Sequence, residues 1–175
     1  MQNTKQRKNL LMVPRVLWVV FTFTLFNFIL IVSLNSSAPQ KPFDKSLIGV
    51  FACVALVEML LSVALRKILF SDGNVRKAME KAVLDGGDDL PSSLLRKVLD
   101  AQFVSVVVSL AIHETIGILG FTLSILSGDS AYVVPFVVVA FILNLPLWPR
   151  EGYLLKRMRK AAPEIFRQHF PMADV

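Results

Sequence analysis

Residues 101–128 constrain this chain more than any other stretch. They read AQFVSVVVSLAIHETIGILGFTLSILSG, with no Lys, Arg or Asp and with a single Glu near the midpoint. At about 1.5 Å per residue, a helix of this length reaches roughly 42 Å, enough to cross the ~30 Å hydrocarbon core of a bilayer with some tilt. Residues 16–34, 46–65 and 132–148 form three further apolar runs, and Glu58 is the one charged residue among them. The 54% hydrophobic content is thus gathered into blocks, where soluble domains hold nearer ~45–50%. The expected fold is all-α, a polytopic membrane protein with four transmembrane helices in one domain.

The first run is 19 residues long. A cleavable signal core has about 7–15 residues, so this run is read as a retained span. A turn-rich loop with two prolines, residues 35–45, leads to the second span, which ends on Arg66 and Lys67. Residues 66–100 form the one sizeable polar loop. Val75, Met79 and Ala82 or Val83 recur there at helical spacing, which predicts a short amphipathic helix ended by Gly86-Gly87. Pro91 suits the first turn of a helix that continues through Leu94, Leu95, Val98 and Leu99 into the third span. Ser127-Gly128-Asp129-Ser130 makes a tight turn, so spans three and four should be antiparallel neighbours. An amphipathic tail, residues 149–175, closes the chain.

The polar segments carry Lys and Arg unequally. Four lie before the first span, seven in the 66–100 loop and six in the tail, against two in the 35–45 loop. The positive-inside rule then places both termini and the long loop in the cytoplasm.

Glu114 sits near mid-membrane, where an uncompensated charge costs on the order of 2.5–3.5 kcal/mol even on a mild scale. It is expected to carry its proton at neutral pH or to meet a partner. Candidates are Glu58 on span two and Asn27 on span one, with His113 beside it in sequence. Ser105, Ser109, His113, Gly117, Gly120 and Ser124 follow one another at steps of three or four, a stripe expected to face other helices. One reading of Glu114 is a protonated acid that holds the bundle together; the other is a proton- or ion-binding site.

Glu114-Thr115-Ile116-Gly117-Ile118-Leu119-Gly120-Phe121 resembles the ion-carrying helix of ATP-synthase and V-type proteolipid c subunits. The Glu, Ile118 and Gly120 match the family pattern, and Leu119 stands where an aromatic is usual. The likeness covers about ten residues and implies a carboxyl suited to binding a proton. The layout, with Pro149-Arg150 after span four, also resembles that of small uncharacterised four-span bacterial membrane proteins, which implies the bacterial inner membrane.

Lys156, Arg157, Arg159 and Lys160 follow span four closely. They suit anionic lipid headgroups, at about 1 kcal/mol per charge, and serve equally as topology determinants. Without aromatic interleaving or a recognised motif, the +6 net charge does not point to nucleic acid. Cys53, the one cysteine, lies within a span. No zinc spacing, phosphate loop or nucleophile–base pair is visible, so neither metal, cofactor nor enzymatic activity is expected. The expected role is a small membrane subunit or scaffold that assembles with itself or other membrane subunits through spans two and three. The alternative is a proton- or ion-linked transport component centred on Glu114.

Overall fold

A computed structural model describes residues 10–35, 43–86 and 89–170. Among them are seven α-helices and no strand: α1 (Met12–Asn35), α2 (Ser46–Leu69), α3 (Asp72–Asp85), α4 (Leu90–Ser127), α5 (Val133–Asn144), α6 (Glu151–Ala161) and α7 (Pro163–His169). Short 3₁₀ turns, Ser130–Tyr132 and Leu145–Leu147, flank α5. Four segments are long and apolar enough to cross a membrane. The protein is therefore all-helical with four candidate spans, a multi-pass membrane protein by composition. Gly87, expected to help end the loop helix, lies outside the described residues, as does most of the 35–45 loop.

Contacts divide the chain into two compact units. One joins the described parts of Met1–Arg15, Leu65–Val107 and Pro149–Val175; the other is Val16–Ala64 with Val108–Trp148.

In the first unit, local chemistry sets the helix boundaries. The Ser71 hydroxyl accepts from the Asn74 amide at 3.3 Å and caps α3. Gly86, at φ +51°, ends that helix in a left-handed conformation that glycine adopts without a Cβ clash. Asp89 caps α4: its carboxylate accepts from the Ser92 amide at 3.4 Å and the Ser92 hydroxyl at 2.6 Å. Val75, Met79 and Ala82 are fully buried, as the spacing predicts, and share a core with Leu94, Val98 and Met158, while Val83, the alternative to Ala82, is exposed. Fully burying a side chain such as Met79 contributes about 1.5–3 kcal/mol. The sequence-predicted helix start near Pro91 does run unbroken into span three, giving a 38-residue α4.

In the second unit the core is Leu25 and Val32 of α1, Ile116 of α4, and Val133, Val137 and Ala140 of α5. Close approach of the helices depends on two glycines of α4. A Cβ on Gly117 would lie 2.7 Å from Leu25 Cδ2, and one on Gly120 would lie 2.5 Å from Phe136 Cβ. Small residues at lipid-embedded interfaces permit this spacing. By contrast α2 is thinly packed: of its 24 residues only Ser62 is buried. A Cβ on Gly49 would meet nothing within 4 Å.

Candidate functional site

The buried face of α4 in the second unit carries Ser109, His113, Gly117, Gly120 and Ser124, which recur at helical spacing. His113 is the polar centre of that face, 3% exposed. Its Nε2 lies 2.8 Å from Ser62 Oγ of α2, and its Nδ1 lies 2.7 Å from Asn144 Oδ1 at the end of α5. Ser62 and Asn144 are equally enclosed, at 3% and 1%. Three helices therefore meet on one imidazole.

The chemistry of the partners assigns the protons. Asn144 Oδ1 only accepts, so Nδ1–H of the ring donates to it. A neutral imidazole then presents a lone pair at Nε2, and the Ser62 hydroxyl donates there. A proton arriving at Nε2 keeps both bonds, because the Ser62 oxygen accepts as readily as its hydrogen donates. The arrangement holds a nucleophile, a base and a group that orients the base, in that order.

Asn144 is itself fixed from the other side. Its backbone carbonyl accepts from Trp18 Nε1 of α1 at 2.8 Å. The Trp18 indole meets Trp148 edge-on, with centroids 4.9 Å apart at 87°. All four helices of the unit thus contribute to a polar and aromatic cluster where α1 begins and α5 ends. Two neighbouring hydroxyls, Thr22 Oγ1 and Ser109 Oγ, are buried without a hydrogen-bond partner among the described residues. Ser109 lies one turn before His113 on the same face.

The acids singled out in the sequence lie elsewhere. Glu114 is about 100° around α4 from His113 and half-buried, beside exposed Thr115 and Ile118. Glu58 is half-buried on α2, with a buried Oε2 that has no hydrogen-bond partner among the described residues. Asn27 is half-buried on α1. Among the described residues, no hydrogen bond or ion pair joins Glu114 to Glu58, Asn27 or any other group. Sequence reasoning centred the site on Glu114 and took His113 as an accessory. It missed Ser62 and Asn144 as His113's partners, although each is an isolated polar residue near the end of an apolar run. Among the described residues no cluster of three His, Cys, Asp or Glu side chains is placed to hold a metal.

The basic tail residues divide in the first unit. Arg157 Nη1 and Lys160 Nζ each lie 2.8 Å from a carboxylate oxygen of Asp72. Arg157 also donates to the Phe70 carbonyl and stacks over the Phe70 ring. Lys160, hydrogen-bonded to Asp72, holds that carboxyl below its usual range; the nearby Arg157 and Lys160 charges add to this, while desolvation opposes it. Lys156 and Arg159 are exposed. Two of the four cations assigned to headgroups are therefore engaged in tying α6 to α3.

No protein-family model, curated protein or solved structure matches the chain.

Proposed function

We propose that this chain is a small subunit of a membrane assembly, built from copies of itself or from other membrane chains. The observation that carries this reading is the position of Glu114 on the flank of its unit, half-buried, with no hydrogen bond or ion pair to any described residue. A half-buried carboxyl in a span needs a proton or a polar partner, and none of the described residues offers it a hydrogen bond or an ion pair. The thinly packed α2 supports the same reading, since its open side, with Gly49 and Cys53 both exposed, leaves room for another helix. The surrounding membrane in this proposal is the bacterial inner membrane. Both termini face the cytoplasm, on the uneven placement of Lys and Arg, with Lys156 and Arg159 at the headgroups.

Cross-linking in native membranes tests the proposal. The parent protein should yield a species larger than its 19.5 kDa chain, and Glu114→Leu should lose it while Glu114→Gln retains it. Monomer alone, from membranes never exposed to detergent, would refute it.

A second reading, a proton-linked transport component, draws on the same unpaired carboxyl. It expects a hydrophobic carbodiimide to modify Glu114 at neutral pH. It also expects Glu114→Gln to assemble normally yet behave like a deletion. A Glu114→Gln strain indistinguishable from the parent would eliminate it.

A further inference from the structure

The Ser62–His113–Asn144 cluster joins three helices through one imidazole. Nucleophile and base are within hydrogen-bond reach at 2.8 Å, and the base is oriented through its other nitrogen at 2.7 Å. That is the geometry by which an alcohol is activated for attack on an acyl carbon. A bundle needing only polar adhesion would be served by any pair of these groups. The third, bonded to the far nitrogen, selects the tautomer whose Nε2 lone pair faces the Ser62 hydroxyl.

Beside the cluster runs an apolar cleft of about 450 Å³, lined by Ala55 and Met59 of α2, Ile116 of α4 and Phe136 and Val139 near the middle of α5. Met59 lies three residues before Ser62, and Ile116 three after His113, so the cleft begins about one turn from the relay on both helices, with Ser62, His113 and Asn144 enclosed behind its lining. Its walls suit a hydrocarbon chain and offer nothing to a polar or charged substrate.

We propose that Ser62, His113 and Asn144 form an acyl-transfer site for carboxylic esters that carry a hydrocarbon chain. Ser62 Oγ bonds to the ester carbonyl carbon as its proton passes to His113 Nε2. The carbon–alkoxy bond then breaks, and the alcohol leaves with the proton from Nε2, so that the acyl group remains on Ser62. Water reverses the sequence: it gives a proton to Nε2 as its oxygen attacks the acyl carbon. Ser62 Oγ leaves with that proton and the carboxylic acid is released. Asn144 is a positioning residue that holds the ring. The proposal is independent of the assembly reading, which rests on Glu114.

A long-chain alkyl fluorophosphonate, applied to the detergent-solubilised full chain and mapped by mass spectrometry, tests it. The adduct is expected on Ser62, and Ser62→Ala, which removes one hydroxyl from a helix that tolerates Ala, abolishes it. His113→Gln lowers the labelling rate by about 100-fold or more, the scale of a lost general base. Absence of an adduct on Ser62 in the parent protein overturns the proposal whether or not the variants fold. So does an unchanged rate in a His113→Gln protein that elutes with the parent.

Discussion

Substituting alanine for three glycines in the membrane-spanning helices should produce effects in a strict order. At Gly120 the new Cβ would lie 2.5 Å from Phe136 Cβ and 2.9 Å from Phe136 Cγ. Carbon atoms settle at about 3.5–4.0 Å, and a Cβ does not rotate away from its own backbone. Helices α4 and α5 must therefore part by roughly 1–1.5 Å. Overpacking of this kind costs about 1–3 kcal/mol, against a helix-propensity gain of about 0.5–1 kcal/mol for Gly→Ala. The net expectation for Gly120→Ala is a loss of about 1–2 kcal/mol. At Gly117 the closest atom, 2.7 Å away, is the terminal methyl of Leu25, which a change of rotamer relieves in part, so the loss should be smaller. At Gly49 nothing lies within 4 Å, and alanine should be neutral or stabilising. Unfolding in mixed micelles titrated with a denaturing detergent measures all three. Equal stability of Gly120→Ala and Gly49→Ala would refute the close approach of α4 to α5.

Asp72→Asn should loosen α6 from α3 by about 1 kcal/mol, the upper end for a partly exposed pair, read as faster amide exchange over residues 72–85. Because the folded Asp72 carboxyl titrates below its ordinary value of 3.8, its stabilisation is complete above that value and is lost as pH falls through the lower folded one. Acid-induced loosening of α3 below about pH 4 should thus be present in the parent and absent in Asp72→Asn. Asn144→Ala should cost about 0.6–1.7 kcal/mol in detergent unfolding, the range for interhelical hydrogen bonds in membranes. The Trp18 bond should survive it, since the acceptor is the backbone carbonyl, and unshifted Trp fluorescence checks this. In a Cys53→Ala background, Ser130→Cys should react with an impermeant thiol reagent in intact cells and Ser92→Cys should not. The opposite pattern would invert the orientation.

Helices proved more legible than contacts, for physical reasons. Spans long enough to cross hydrocarbon must be nearly free of charge, so residues 101–128 announce themselves, and Asp89 and Pro91 mark the start of α4 by capping chemistry alone. The stripe of Val75, Met79 and Ala82 is readable because a soluble amphipathic helix separates polar from apolar faces. Within the membrane that contrast disappears. Lipid and helix interior are both apolar, so hydropathy does not say which side of α4 faces inward, and the most conspicuous charge drew attention to Glu114. The small residues Gly117 and Gly120 did mark the inward face, and His113 lies on it. Ser62 and Asn144 were hidden for a different reason: a serine or asparagine near a span end is unremarkable until two other helices bring partners to it. The basic tail shows the same limit, since nothing in the order of residues reveals that Asp72 occupies Arg157 and Lys160.

The thin packing of α2 has a bearing on how the protein is made. Its one buried side chain, Ser62, meets His113, a residue synthesised 51 positions later. The helix therefore enters the bilayer on its own apolarity, before its docking site exists. Its bond to His113 must wait until α4 has followed it out of the ribosome. During that interval its unclaimed surface is open to a helix from any neighbouring chain.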